Sequence, residues 1–180
     1  MKLTSKDVTV VPVMAVVSAI GHMAVGPIVN RTLHVPGPTL AGVVIMAPLL
    51  VAGALTFRRG IIMLTSIVNG AILSAFVPIG FMAIPIYAVV GATLELFCLR
   101  SFSVLFRPFR AFLAAGVANA ISVLLIAALA LGMRNLTILT LAVAIGFLAG
   151  GFGGAIGSAT ASRIRVLSYP KKAEPNSDRR

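Results

Sequence analysis

The sequence is poor in the residues that perform most metal, redox and acid–base chemistry. Cys98 is its only cysteine, and Asp and Glu together number 4. A single cysteine excludes an internal disulfide and any thiolate cluster around zinc or iron–sulfur. Asp7, Glu174 and Asp178 lie in or beside the chain ends, so the sequence lacks the paired carboxylates that intramembrane proteolysis or metal-dependent phosphotransfer would use. No serine has a recognisable nucleophile motif, and we expect no enzyme, metal or cofactor.

Charged residues of either sign are also scarce. They make up 11% of the chain, against 59% hydrophobic residues, and the mean hydropathy is +1.07. Because a soluble domain carries about 25% charged residues, this composition predicts a multi-pass protein of the cell membrane. The net charge of +11 does not indicate nucleic acid, since the basic residues form small groups between apolar runs without a basic aromatic platform.

Polar breaks divide the chain into apolar segments of membrane-spanning length. An apolar helix needs about 20 residues to cross the hydrocarbon core. The stretch from Gly60 to Cys98 is about twice that length, so we expect a hairpin at Pro78 and Gly80. The predicted spans are 8–29, 39–57, 60–77, 81–98, 110–133 and 136–162.

The basic residues predict the orientation of these spans. Of the 15 lysines and arginines, all but Arg31 and Arg134 fall on the side of the two chain ends. The positive-inside rule places that side in the cytoplasm. We therefore predict an all-α integral membrane protein with six transmembrane helices in one bundle and cytoplasmic N- and C-termini. Residues 1–167 form this transmembrane domain, and 168–180 form a disordered basic cytoplasmic tail.

Small residues recur along one face of the first and last spans. They are Ala15 and Ala19 in the first, and Gly146, Gly150, Gly153 and Gly157 in the last. Helices in lipid associate through close contact across small residues, so these faces either pack inside the bundle or dock a partner helix.

Several segments resemble one family of membrane proteins. They are "AVVSA" in the first span, "HVPGPTLAGVVIMAPLLVAGALTFRRG" around the second, "GATLELFCLR" at the end of the fourth, and "ASRIR" at the end of the last. With the chain's size and predicted topology, they are similar to the substrate-binding S component of an energy-coupling factor (ECF) transporter, of the group linked to thiamine precursors.

This resemblance implies a subunit that binds a vitamin-like small molecule outside and reorients in the lipid bilayer. Its partners would be a transmembrane coupling protein and two ATPase subunits. The small-residue pair of the first span contacts the coupling protein in that family, which implies docking through Ala15 and Ala19. Nickel and cobalt members carry a histidine directly after the first methionine, and this chain begins "MKLTSK".

A ligand pocket open to the outside would be built from the outer halves of the spans. Arginines there either pair with an anionic ligand or bind lipid phosphate, and the polar side chains either contact a ligand or join helices. The candidate residues are Arg31, His34, His22, Asn69, Tyr87, Arg134 and Asn135.

Two features near the cytoplasmic side have open interpretations. Glu95 is the sole acid within a span, and we expect it to neutralise Arg58, Arg59 or Arg100 unless it contacts a ligand. Phenylalanines alternate with arginines in "LRSFSVLFRPFR", a pattern typical of segments that contact anionic lipid headgroups or a coupling subunit.

The sequence thus favours a binding subunit for uptake of a water-soluble micronutrient, driven by partner ATPases. The alternative is a structural or assembly subunit of a larger membrane complex with no ligand of its own. A self-sufficient small channel or exporter is a third possibility.

Overall fold

Every element that the structure describes is helical. This computed structural model describes residues 3–33, 38–100, 102–130, 132 and 134–168, with side chains for 3–26, 40–99, 102–129, 132 and 134–164. The α-helices are α1 (Ser5–Leu33), α2 (Pro38–Thr56), α3 (Ile61–Ser74), α4 (Ala83–Arg100), α5 (Pro108–Leu125) and α6 (Leu136–Ser168). Shorter helical turns are Gly80–Met82 before α4, Phe102–Phe106 before α5, and the π turn Ile126–Ala130 that extends α5.

The predicted all-α class is confirmed, and each predicted span corresponds to one of these six helices. Helices long and apolar enough to cross a membrane cover Ser5–Gly26, Gly80–Leu99, Pro108–Leu129 and Leu136–Ile164. The remaining two, Leu40–Thr56 and Ile61–Ser74, are apolar but shorter. Between α3 and α4 the chain turns where the hairpin was expected, and Gly80 there has a left-handed φ of 54°. The predicted tail lies outside the described residues except for Ser168.

Local sequence signals set the helix ends. At the start of α1, the Thr4 N–H donates to Asp7 Oδ2 at 2.8 Å and the Asp7 N–H donates to Thr4 Oγ1 at 3.4 Å, which is a reciprocal capping box. Pro108 occupies the first turn of α5, where its missing N–H is not needed. Asn135 caps α6 by accepting two backbone N–H groups.

The six helices close into a ring. Going round it, α1 contacts α2, α2 contacts α6, α6 contacts α5, α5 contacts α4, α4 contacts α3, and α3 contacts α1. The helix α2 also contacts α3, which lies opposite α6 in the ring, and α5, which lies opposite α1. Its buried side chains, which include Met46, Leu49 and Leu50, therefore fill much of the interior.

Apolar side chains face outward while several polar ones face inward. Val17 and Ile20 on α1 and Leu141 and Phe152 on α6 are exposed. The buried polar set comprises Asp7, Ser18, Thr65, Ser66, Asn69, Glu95, Asn119, Ser122 and Ser158. A water-soluble protein rarely exposes apolar faces of this extent, so the surface is compatible with a membrane-embedded chain.

Candidate functional site

The glycine face of α6 is occupied by other helices of the same chain. A Cβ built on Gly153 would lie 2.5 Å from the Val43 carbonyl oxygen, and one on Gly157 would lie 2.8 Å from that of Ala47. These two glycines therefore bring α6 against the backbone of α2. Gly146 meets Val123 of α5 in the same way, at 2.7 Å from a built Cβ.

Asn119 of α5 joins three helices at this interface. Its Nδ2 donates to the Gly146 carbonyl of α6 at 2.7 Å. The same amide lies directly against Gly42 of α2, and its Cβ lies against Gly150 of α6. A side chain at either glycine would displace Asn119. The spacing of glycines in the sequence thus marks a packing seam within the chain.

The small residues of α1 are likewise turned into the bundle. Ala15 and Ala19 are buried, and Gly21, two residues after Ala19, meets the Val44 side chain of α2 at 2.9 Å from a built Cβ. Of the two interpretations of the small-residue faces, packing inside the bundle describes both α1 and α6 in this structure. Docking of these faces on a coupling protein stays a prediction.

The structure describes only some of the ligand residues predicted for the outer side, and among these Arg134 and Asn135 stand at the start of α6, apart from Asn69 and Tyr87 on α3 and α4. His34 and the side chain of Arg31 lie outside the described residues. Arg134 is exposed, and Asn135 Oδ1 accepts the N–H groups of Thr137 and Ile138 at 3.1 and 3.2 Å. Asn135 therefore has a structural partner in the α6 backbone, a role that its place before an apolar run could have indicated.

Asn69 and Tyr87, by contrast, lie at the same contact between α3 and α4. A Cβ on Gly70, beside Asn69, would lie 3.0 Å from the Tyr87 Cβ. The Ser66 hydroxyl donates to the Tyr87 carbonyl at 2.6 Å and fixes this level of the two helices. Both Asn69 and Tyr87 are buried.

The side-chain amide of Asn69 has no hydrogen-bond partner. Its Nδ2 and Oδ1 are both buried without a partner, and the residue is wholly inaccessible. An amide moved from water into an apolar interior without partners costs roughly 1–3 kcal/mol. Native proteins rarely accept such a cost without a water, ion or ligand that offsets it.

Two polar groups of α1 share this property. Ser18 Oγ and His22 Nδ1 are buried without partners, and both lie on the inward face of α1 with Ala15. His22 was predicted as a ligand residue, whereas Ser18 was not. The signal for Ser18 was its spacing of three residues from Ala15, which places it on the same helix face.

Helix contacts place Ser18 and Asn69 at a similar depth in the bundle, with His22 about one turn beyond them. Ile62 lies against Gly53 of α2, and Gly21 of α1 lies against Val44. With a rise of about 1.5 Å per residue, Asn69 lies about 10 Å beyond the Gly53 level, Ser18 about 9 Å and His22 about 15 Å. We call Ser18, His22 and Asn69 the mid-bundle polar set.

Glu95 has a partner that the sequence did not suggest. Its Oε1 accepts the buried backbone N–H of Ile62 at 2.9 Å, in the first turn of α3. Of the three arginines expected beside it, Arg58 forms an ion pair with Asp7, Arg59 is exposed, and the side chain of Arg100 lies outside the described residues. The Glu95 carboxylate therefore accepts an N–H group that has no acceptor within α3. It also lies at the positive end of the α3 helix dipole, where a negative charge is favourable.

The structure also has a shallow apolar depression of about 300 Å³ at the opposite end from the outer candidates. It is lined by Leu3, Gly60, Met63, Leu64 and Ile67. These residues offer no polar side chain, so the depression does not correspond to the predicted ligand site. Within the described part of the chain, no group of three or more His, Cys, Asp or Glu side chains is placed to hold a metal.

Comparisons with known proteins found no match to this chain. No family model matches it, and neither a curated protein nor a solved structure does.

Proposed function

We propose that this chain is a cell-membrane protein with six spans and cytoplasmic termini that binds a small water-soluble micronutrient for uptake. It would deliver a vitamin or vitamin precursor by reorienting on a transmembrane coupling protein driven by two ATPase subunits. The observation that supports ligand binding is the orphaned amide of Asn69 at the centre of the bundle. The coupling partners are proposed from the family resemblance alone.

The chemistry of the mid-bundle polar set limits what could bind there. Asn69 offers two donors and an acceptor, Ser18 a hydroxyl, and His22 a ring nitrogen. Met46, Leu50 and Tyr87 belong to the main buried cluster of the bundle, together with Ala19 of α1. A neutral, flat molecule with donors and acceptors on its edge suits such a mixture, because its ring faces lose little on leaving water.

Ligand access in this proposal requires the helices to separate locally. Asn69 and Ser18 are inaccessible in the closed ring. The contacts between α1 and its neighbours involve small side chains, which interlock less than large ones and permit movement. Docking through Ala15 and Ala19 would need the same movement, since α2 and α3 now cover that face.

The identity of a co-purifying molecule tests the binding proposal. The chain would be purified in mild detergent, denatured, and the released small molecules identified by mass spectrometry. We expect the wild type to release a vitamin-like molecule and Asn69→Leu to release at least tenfold less. Thr140→Val, a similar polar-to-apolar change on the exposed side of α6, serves as the control and should release the wild-type amount.

The outcome that overturns this proposal is equally specific. If folded Asn69→Leu protein releases the same molecule in the same amount, Asn69 does not bind it. If the wild type releases no small molecule and instead purifies in a permanent complex without ATPases, the chain is a structural or assembly subunit.

A further inference from the structure

Both acidic side chains that the structure describes are turned inward. Asp7 is 1% exposed and Glu95 is 8% exposed. Asp7 pairs with Arg58 and accepts the Thr4 N–H, while Glu95 accepts the Ile62 N–H. These two carboxylates therefore interact with groups of the same chain and do not offset the positive charge on the surface of this end of the bundle.

The basic side chains at the same end mostly point outward. This end collects the start of α1, the α2–α3 turn, the start of α5 and the last turns of α6. Its exposed basic residues are Lys6, Arg59, Arg107, Arg110 and Arg163. The described surface here thus presents positive charge without an exposed carboxylate between the cations.

Aromatic contacts bring two of these basic segments together. Phe57, next to Arg58 in the α2–α3 turn, stacks on Phe106 with ring centroids 5.4 Å apart, and it contacts Phe102 at 6.5 Å. Phe106 directly precedes Arg107. The stacking therefore places Arg59 on the same side of the bundle as the start of α5.

Exposed rings accompany these cations. Phe109 is 73% exposed between Arg107 and Arg110, and Phe57 is 44% exposed. We call Phe57, Arg59, Arg107, Phe109 and Arg110 the basic aromatic face. Rings at this level can enter the boundary between headgroups and acyl chains, while guanidinium groups beside them remain in the headgroup layer.

We infer that the basic aromatic face binds the headgroups of anionic phospholipids. A guanidinium group donates two parallel N–H bonds to a phosphodiester, and an additional anionic headgroup increases the attraction over a zwitterionic one. This inference rests on the proposed membrane orientation, because that orientation brings the face to the cytoplasmic leaflet. It does not depend on a micronutrient ligand.

Lipid competition with single arginine variants tests the inference. The full chain in neutral detergent would be mixed with equal amounts of phosphatidylglycerol and phosphatidylcholine, and the bound lipids counted by native mass spectrometry. We expect the wild type to prefer phosphatidylglycerol. Arg107→Gln and Arg110→Gln should each lower that preference by about fivefold, and raised salt should lower it in the wild type.

Arg134→Gln provides the charge-matched control, since Arg134 is an exposed arginine at the other end of the bundle and lies outside the basic aromatic face. It loses the same charge, and a headgroup contact of its own should lower the preference for phosphatidylglycerol by less than Arg107→Gln or Arg110→Gln does. Circular dichroism and size-exclusion profiles establish that each variant is folded. If a glutamine variant fails to fold, the arginine is changed to lysine instead, and the lipid preference is measured at raised salt. Because lysine keeps the charge but loses the two parallel N–H donors, we still expect a weaker preference for phosphatidylglycerol than that of the wild type at the same salt.

Three results would overturn the inference. The wild type could bind both lipids equally, Arg134→Gln could reduce the preference as much as Arg110→Gln, or the face could retain an acidic protein without any lipid preference. If the lipid experiment contradicts the inference, the proposal that Asn69 binds a co-purifying small molecule is unaffected, so the two proposals are tested separately. A chain that does not float with phospholipid vesicles would contradict the membrane setting of both.

Discussion

The Glu95 carboxylate on α4 lies 2.9 Å from the backbone nitrogen of Ile62 on α3. This hydrogen bond connects helices that are antiparallel neighbours in the ring and satisfies one of the free N–H groups at the start of α3. It also lies next to the contact between Ile62 and Gly53, where α3 packs on α2. The buried Glu95 carboxylate thus stabilises the end of the bundle at which α2, α3 and α4 meet.

Removing this acceptor should weaken the fold. Glu95→Ala leaves the Ile62 N–H buried without a partner, and we expect a loss of about 1–3 kcal/mol in unfolding free energy. Glu95→Gln keeps a carbonyl oxygen in reach and should lose less. Unfolding followed by circular dichroism in detergent measures both. Equal stability of Glu95→Ala and wild type would show that the hydrogen bond does not hold α3.

Adding one methyl group to the α6 face should also destabilise the bundle. In Gly153→Ala the new Cβ would lie 2.5 Å from the Val43 carbonyl oxygen, which cannot move without shifting α2. We expect a cost of about 1–3 kcal/mol. The control is Gly26→Ala, because a Cβ on Gly26 meets none of the described atoms within 4 Å and alanine favours a helix. A reversed order of stability would contradict the packing of α6 on α2.

The backbone of Phe57 predicts an unusual ranking of two substitutions. Phe57 has φ of 52°, a left-handed conformation that suits glycine, and its N–H donates to the Gly53 carbonyl at 2.9 Å to end α2. Both Phe57→Ala and Phe57→Gly lose the stacking on Phe106. Phe57→Gly alone relieves the backbone, so it should be more stable than Phe57→Ala by about 1 kcal/mol. Thermal unfolding of the two purified variants gives the comparison.

The orphaned amide predicts that one polar-to-apolar change raises stability. In ligand-free protein, Asn69→Leu removes a desolvated group of similar volume and should be equal to wild type or up to about 2 kcal/mol more stable. Asn119→Leu is the contrasting variant, because it breaks the hydrogen bond to Gly146 and should be less stable. A large loss of stability in ligand-free Asn69→Leu would mean that the amide has a structural partner.

The helices could be predicted from the sequence because the length of an apolar segment, and the basic residues that separate such segments, are local properties of the chain. The hairpin at Gly80 follows from a stretch too long for one span. The caps by Thr4 with Asp7 and by Asn135 are also local, since each joins residues within three positions. Such features need no knowledge of neighbouring helices.

The contacts between helices were not predictable in the same way. The spacing of Gly153 and Gly157 marks a face of α6, but a period does not name the helix that covers it. Glu95 was expected beside Arg58, Arg59 or Arg100 unless it contacts a ligand, and its hydrogen bond to the Ile62 N–H depends on how α3 and α4 meet. Asn69 was predicted to contact a ligand or to join helices, and the lack of a partner for its amide depends on where every other described side chain lies.

The position of α6 between α2 and α5 has a consequence for how the protein is made. Four of the six contacts around the ring join consecutive helices, and the two that do not are α1 with α3 and α2 with α6. Of the helices that the structure describes, α6 is made after the other five and fills the gap between α2 and α5. Until α6 inserts, the side-chain amide of Asn119 lacks its acceptor on Gly146, and the Val43 carbonyl lies uncovered. Closure of the ring therefore waits for α6, and a nascent chain halted before Leu136 remains an open arc.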